Sequence, residues 1–266
     1  MATVPMTKMG IIGYSNEKDS IIKFLQREGI VELLPLKQSS EQNIDLEQLL
    51  HRIDSAVDFL LEFADEKPHK PTLSPQQVKA FISDFNLDGT IAHIEELRDE
   101  RDRLIADINR AKAKVDTLKP WVQYPTPLAM MRDTIHCRIV MGTVPAHMIE
   151  AFEHDVIEQQ LLFWREISRG HEGMHIVVLF HNSISKWMDE LLAQVEFTHW
   201  EPKEFSETPA GEISRFERDI AFAQERLDGV SESAKALVEN IIPLWVLADH
   251  YEQIMQQNSA IASAEK

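Results

Sequence analysis

The chain has 266 residues, 44% of them hydrophobic, and it carries 27 basic against 44 acidic side chains for a net charge of −17. This composition excludes a disordered chain, and the charge opposes a phosphate backbone or an anionic membrane surface, so we expect no nucleic-acid partner. No apolar run approaches the roughly 18 residues of a membrane span, and the single cysteine, Cys137, excludes an internal disulfide, so we expect a cytoplasmic chain without direct membrane insertion.

The N-terminal segment, residues 1–88, predicts a small α/β lobe. An apolar run over 6–13 predicts a buried strand, 16–28 predicts a helix, and 30–36 predicts a second strand, which together make a βαβ unit. The rest of this segment predicts a helix over about 44–64, a proline-containing loop over 66–75 and a short helix over 76–85.

Two long helices, over 89–120 and 208–257, are predicted to carry coiled-coil seams. Their apolar residues alternate steps of three and four, a stripe as narrow as the a and d positions of a heptad. Two seams of similar length predict antiparallel pairing within the chain and an elongated protein. Pro243 should kink the second helix, and residues 258–266 should fray. The seam residues are Ile94, Leu97, Arg101, Leu104, Ile108, Ala111, Val115 and Leu118, then Ile213, Phe216, Ile220, Ala223, Leu227, Val230, Ala234, Leu237, Ile241, Leu244, Ala248 and Tyr251.

The middle segment, residues 121–207, predicts a second α/β lobe at the tip of the paired helices. Its element order is β-α-β-β-α-β, the order of the split βαβ, or ferredoxin-like, arrangement. The expected fold is therefore α/β (α+β): two small ferredoxin-like lobes joined by a long antiparallel two-helix coiled coil. The predicted elements are strands over 136–142, 161–168, 175–180 and 195–199, and helices from Pro145 to about 158 and from a cap at Ser183 to about 194.

His171, Glu172 and His175 match the H-E-x-x-H pattern of zinc metalloproteases. That chemistry needs both histidines on one helical face with the glutamate as base. Here the pattern lies between Gly170 and Gly173 and joins two predicted strands, so we expect a turn and no metal site. A zinc hydrolase is kept as an alternative. No phosphate-binding glycine loop is present, and we expect no cofactor.

Six short motifs follow one another along nearly the whole chain: Lys8–Gly13, Gly29–Leu33, Leu118–Trp121, Gly142–Pro145, Phe180–Ser185 and Thr208–Ile213. Their ordered set resembles the N-terminal cytoplasmic region of subunit I, also called subunit a, of V-type and A-type rotary ATPases. The resemblance implies a non-catalytic stator arm with no cofactor, cytoplasmic and associated with the membrane through its complex. The implied partners are the peripheral-stalk heterodimer, the central-stalk cap subunit and the membrane sector.

The resemblance also implies where partners bind and where the chain departs from the family. In the family the chain returns after the second long helix, completes the proximal lobe and continues into a membrane domain. This sequence stops at Lys266, so we expect a proximal lobe that lacks strands. The residues expected to bind partners in the middle lobe are Gly142, Val144, Pro145, Trp164, His181 and Ser183.

Two further alternatives stay open at this stage. The βαβ start also suits a regulatory ferredoxin-like module that binds a small molecule, in which the long helices serve as spacers. The two seams could also pair between chains instead of within one.

Overall fold

The computed structural model is built from long helices and one four-stranded antiparallel sheet, which confirms the mixed class expected from the sequence. It divides into two compact units: the terminal unit, Met1–Glu100 with Val230–Lys266, and the central unit, Arg101–Gly229. The finer division into five segments stays a prediction. The structure describes residues 7, 9–11, 13, 14, 17–28, 41–66, 68–71, 73, 77, 78, 82 and 85–263.

Helices pack together in the terminal unit. Helices α1 and α2 both contact α7, the last helix of the chain. Arg52 donates two hydrogen bonds of 2.8 Å to Glu95, which ties α2 to α3. The helix bounds are α1 Lys18–Glu28, α2 Glu41–Leu61, α3 Leu87–Leu118, which continues into the central unit, and α7 Ile241–Ser263. Among the large side chains, those that are at most 1% exposed in this unit include Ile53, Leu60, Ile91, Ile94, Ile241 and Leu244.

The strand predicted over 6–13 is wrong at the positions that the structure describes. The described residues between 7 and 13 lie in no strand, and the side chains of Met9 and Ile11 are 77% and 58% exposed. An apolar run does not specify a strand alone, because a strand also needs a neighbour to pair with its backbone groups. The predicted neighbour over 30–36 lies outside the described residues.

Helix α3 begins at Leu87, two residues earlier than the start at 89 that the sequence predicted. The side-chain oxygen of Asn86 accepts a hydrogen bond of 3.2 Å from the N–H of Gly89, which is the interaction of an N-cap residue. Gly89 therefore lies in the first turn of the helix instead of interrupting the chain before it.

The return helix is divided in two, where the sequence predicted a single kinked helix. Helix α6 spans Pro209–Ala236, a 3₁₀ turn spans Val238–Asn240, and α7 follows. The proline ring at position 243 blocks the carbonyl four residues earlier, that of Glu239, so the break falls in this turn. Helix α7 extends to Ser263, into the segment predicted to fray from 258, and the fraying itself stays a prediction.

The central unit contains the α/β lobe, and its element order is the predicted β-α-β-β-α-β. The sheet order is β2-β3-β1-β4, and every neighbouring pair is antiparallel. A 3₁₀ turn precedes each helix, so the helices begin later than predicted from Pro145 and Ser183. The bounds are β1 Cys137–Pro145, α4 Ile149–Val156, β2 Leu162–Arg169, β3 Gly173–His181, α5 Ser185–Gln194 and β4 Thr198–His199.

The two faces of the sheet have different surroundings. Directly paired residues share a face and successive residues alternate, so the register assigns each side chain. One face packs on α4 and α5, with Val144, Met174, Ile176, Val178 and Phe180 at most 1% exposed. Part of the other face packs on residues from the ends of α3 and α6, through Met141 and Val177.

Seam residues of α3 and α6 pack against each other within the central unit. One buried cluster contains Val115 and Leu118 of α3 together with Phe216 of α6, and Ala111 and Ile220 pack against it. The three-and-four spacing of the sequence thus marks side chains that meet inside one chain here.

Candidate functional site

The neck, defined as residues 118–131 and 200–216, joins α3 and α6 to the sheet. At its centre Trp121, 2% exposed, stacks on Trp200 with ring centroids 4.7 Å apart and an interplanar angle of 14°. The ring of His175, in β3, meets Trp121 edge-on at 5.4 Å. Aromatic pairs in these geometries add attraction beyond their buried area, so the neck is a packed joint.

Hydrogen bonds connect the neck to two strands of the sheet. Ser168 Oγ donates to the carbonyl of Pro120 at 2.6 Å, and the N–H of Trp200 donates to the carbonyl of Met141 at 2.8 Å. These bonds fix the end of α3 to β2 and the start of the returning chain to β1. Both sides of the neck are therefore held by the same sheet.

Glu212, in the first turn of α6, is fully buried. Its Oε1 accepts hydrogen bonds from the backbone N–H groups of Ser206 and Glu207, at 2.9 and 3.1 Å. Its Oε2 lies 2.6 Å from Arg215 Nη2, although that contact lacks hydrogen-bond geometry. Burial raises the pKa of Glu212, but the two backbone N–H groups and Arg215 outweigh it and hold the pKa below its usual value.

The segment that Glu212 fixes also binds the other side of the neck. The carbonyls of Glu207 and Ser206 accept hydrogen bonds from the backbone N–H groups of Leu128 and Ala129, at 2.9 and 3.3 Å. One buried carboxylate thereby orders the loop that ties the returning chain to the chain leaving α3. Thr208 caps α6, since its Oγ1 accepts a hydrogen bond of 3.2 Å from the N–H of Gly211.

His175 lies half-buried between the neck and the sheet. Burial lowers its pKa, while the nearby charge of Glu172 and the hydrogen bond to Ser168 oppose that effect. Its Nδ1 lies 3.4 Å from Ser168 Oγ. We expect the neutral imidazole in the folded chain at neutral pH.

The H-E-x-x-H residues do not form a helical zinc constellation. His171 and Glu172 are exposed in the turn between β2 and β3, whereas His175 lies within β3 and packs on Trp121. The turn predicted from the flanking glycines is confirmed. In the part of the chain that the structure describes, no group of three or more histidine, cysteine or acidic residues is placed to hold a metal ion.

A cleft of about 330 Å³ lies between α3 and α6. Leu104 and Phe216 are among the residues that line it, and Lys114 Nζ lies 5.6 Å from the centre of the Phe216 ring. Lys114 also pairs with Glu204 at 3.4 Å. The cleft is open and mixes charged with apolar walls, so it does not have the enclosed apolar character of a small-molecule site.

The second surface of interest is the uncovered part of the sheet. We call it the open face and define it by Ile139 of β1, Leu161, Phe163 and Arg165 at β2, and Leu179 of β3. Phe163 pairs with Leu179 and Leu179 with Ile139, so these three form one row across the sheet. Phe163 is 63% exposed and Leu161 is 51% exposed. Large apolar side chains gathered on one exposed surface indicate a binding site.

The structure separates the residues that the sequence predicted to bind partners. Gly142 and Val144 are buried in β1; a Cβ at Gly142 would lie 2.1 Å from the carbonyl oxygen of Thr198, and Val144 has no exposed surface. Both positions are structural, and neither side chain is available for direct contact. Pro145 ends β1 opposite Gly173.

The other three predicted residues lie elsewhere on the lobe. Trp164 is half-buried and meets Phe152 of α4 edge-on at 5.4 Å. His181 Nδ1 accepts the N–H of Ser183 at 3.2 Å and so caps the turn before α5. Pro145 and His181 occupy opposite ends of the β1–β3 ladder, about 27 Å apart at the usual strand rise. The six residues therefore do not form one surface, and binding by the accessible ones stays a prediction.

Sequence reasoning did not single out Glu212, Phe163 or Arg165 as functional. The alternation Leu162-Phe163-Trp164-Arg165 signals a two-faced strand, but it does not say which face remains uncovered. Glu212 carried a weak signal, a carboxylate just after a Thr-Pro helix start, where negative charge is favoured.

No helix in the described residues is both long and apolar enough to cross a membrane. No family model matches the sequence, and no curated protein matches it. Among solved structures, the chain is similar to the cytoplasmic N-terminal domain of subunit I, a homolog of subunit a, of V-ATPase. The match is 16% identical, covers 93% of this chain and 87% of that one, and has a TM-score of 0.48. It assigns neither a family nor a function to this chain.

Proposed function

We propose that this chain is a non-catalytic arm in the stator of a V-type or A-type rotary ATPase, which transports protons or sodium ions. In this role it links the peripheral-stalk heterodimer to the membrane sector and also contacts the central-stalk cap subunit. The arm is cytoplasmic and associates with the membrane through its complex.

The observation that carries this proposal is the position of the motif residues in the central unit. Leu118–Trp121 ends α3 in the neck, Gly142–Pro145 lies where β1 meets β4 and β3, Phe180–Ser185 makes the turn into α5, and Thr208–Ile213 begins α6. These are joints between elements and not the walls of a pocket. The motifs that resemble a stator subunit thus fall where stiffness matters.

A stator must hold its shape under torque. A joint resists bending when its side chains are closely packed and its buried polar atoms are hydrogen-bonded. Bending would open gaps in the packing or break those hydrogen bonds, and both changes cost free energy. The neck meets the first condition through Trp121 and Trp200, and it largely meets the second through Glu212 and the backbone bonds around it.

The finer architecture belongs to the same proposal. We take the two seams to pair as an antiparallel coiled coil along their length, and we take both lobes to be ferredoxin-like. The β2-β3-β1-β4 order supports a ferredoxin-like fold for the middle lobe. The buried seam residues Leu104, Ile108 and Val115 support the pairing of the helices.

A calorimetric titration of this chain with a purified two-chain peripheral stalk tests the proposal. Saturable binding at micromolar concentration, with no ATP hydrolysis by the chain alone, is the expected result. A folded chain that does not bind at tens of micromolar would refute it. Stoichiometric zinc in the purified chain would instead favour a hydrolase.

A further inference from the structure

The open face has an unusual charge balance for this protein. Among the five residues that define it, Arg165 alone is charged, whereas the whole chain carries a net charge of −17. At the β1 edge of the face, Asp133 Oδ1 accepts a hydrogen bond of 2.9 Å from the N–H of Ile139. Within the described residues, the Arg165 guanidinium forms neither an ion pair nor a hydrogen bond. The arginines on the opposite face are paired, Arg138 with Asp189 at 3.2 Å and Arg169 with Glu153 at 2.9 Å. An unpaired cation beside exposed Phe163 is complementary to a ligand that is both apolar and acidic.

The dimensions of the open face suit a short length of helix. From Leu161 to Arg165 the strand advances about 13 Å, and from β2 to β1 the sheet is about 10 Å wide. Two turns of helix are about 11 Å long and present apolar side chains at i, i+3 or i+4, and i+7. Helices α4 and α5 cover the other face of this sheet in the same manner.

The edge of β2 is less suited to an added strand. β2 is the outer strand of the sheet, but its register shifts between Glu166 and Ser168, and Arg165, Glu166 and Arg169 line it with charge. Bulges and charged side chains are the features by which edge strands avoid further pairing. The ligand therefore lies on the face of the sheet and not at its edge.

We propose that the open face binds an amphipathic helix whose apolar side covers Phe163, Leu161, Leu179 and Ile139 and whose acidic side chain pairs with Arg165. The inference rests on the proposed function, in which the helix belongs to the peripheral stalk. It goes beyond that function because it assigns the contact to one surface of the sheet and to one type of ligand.

The test uses the full chain, a purified two-chain peripheral stalk and point variants on both faces of the lobe. Phe163→Glu removes the apolar anchor, and Arg165→Glu reverses the charge. Ile157→Glu is the matched control: Ile157 is 79% exposed and follows α4, on the covered side of the sheet. Thermal unfolding of each variant establishes that it is folded before binding is measured.

The proposal predicts at least a tenfold rise in Kd for Phe163→Glu and for Arg165→Glu, and an unchanged Kd for Ile157→Glu. Arg165→Gln, the milder variant, should reduce the dependence of Kd on salt concentration. If the wild-type chain binds the stalk and both open-face variants bind equally well, this inference is wrong while the stator function stands. If the folded wild-type chain does not bind, both fail. A dimer that Phe163→Glu dissociates, with stalk binding unchanged, would assign the face to a second copy and overturn the proposal.

Discussion

Trp121 lies flat against Trp200, with their ring centroids 4.7 Å apart, and this pair joins the end of α3 to the chain that returns from the sheet. The two residues are separated by the entire α/β lobe in sequence. Their stacking therefore closes the lobe at its base, and the stability of the neck depends on it.

Replacing Trp121 by alanine should remove this closure. A buried tryptophan truncated to alanine costs about 3–5 kcal/mol through lost burial and a residual cavity. Denaturant unfolding followed by circular dichroism measures the change. Phe222→Ala is the control, because Phe222 is 62% exposed and its loss should change stability by no more than about 0.5 kcal/mol. Equal effects of the two substitutions would contradict the packed joint.

Glu212→Ala should destabilise the neck at neutral pH, because it leaves the N–H groups of Ser206 and Glu207 and the charge of Arg215 without their partner. The side chain of Arg215 is 44% exposed, so water can solvate its charge, and the cost comes mainly from the unsatisfied backbone donors, at about 1–3 kcal/mol. Denaturant unfolding at pH 7 measures the loss, and Glu217→Gln, on the exposed side of α6, serves as the control.

Glu212 should also make stability depend on pH in the acid range. Its folded pKa lies below the ordinary value of 4.5, so its contribution is complete above about pH 4.5 and is lost as the pH falls through the folded pKa. The wild-type chain and Glu212→Gln should therefore converge in stability as the pH is lowered. A constant difference between them down to low pH would mean that the carboxylate is not ionised in the folded chain.

His175 should contribute a second pH dependence, nearer neutrality. Because the folded pKa is lowered from 6.5, the unfolded chain takes up the proton first, and stability falls as the pH drops from about 6.5 toward the folded pKa. His175→Gln should abolish this part of the pH profile, whereas His147→Gln, at an exposed histidine, should leave it unchanged. A profile that survives His175→Gln would assign the titration to another group.

Gly142 should tolerate no larger side chain. A Cβ would lie 2.1 Å from the carbonyl oxygen of Thr198 and 2.6 Å from the ring of Phe197, so Gly142→Ala forces β4 away from β1. Overpacking of this type costs about 1–3 kcal/mol. Gly229→Ala is the contrasting variant, since nothing lies within 4 Å of that Cβ in helix α6, and it should stabilise by about 0.5–1 kcal/mol. Thermal unfolding of both variants checks the pair.

The parts of the fold that could be predicted are those with a regular pattern. The three-and-four spacing from Leu104 to Val115 predicted a buried stripe, because one buried face imposes its period on the sequence, and short apolar runs predicted β1 and β3. Boundaries were predicted less well: the cap at Asn86 and the 3₁₀ turn before α7 depend on single side-chain bonds and on where a proline ring clashes.

The candidate site was predicted less completely because it depends on which face of the sheet is covered by helices. Val144 and Phe163 are both apolar strand residues, yet one is in the core and the other is 63% exposed. The difference arises from the helices that pack on one side of the sheet, which no local pattern specifies. Glu212 was missed for a similar reason, since an acidic residue in a first helical turn is ordinarily expected in solvent.

Amide hydrogen exchange of the full chain, with and without a purified two-chain peripheral stalk, tests the stator function most directly. If the chain is a stator arm, we expect saturable binding, with new protection concentrated in the strands around Phe163 and Leu179 and little change in the terminal unit. A folded chain whose exchange is unchanged at saturating stalk concentration would contradict it.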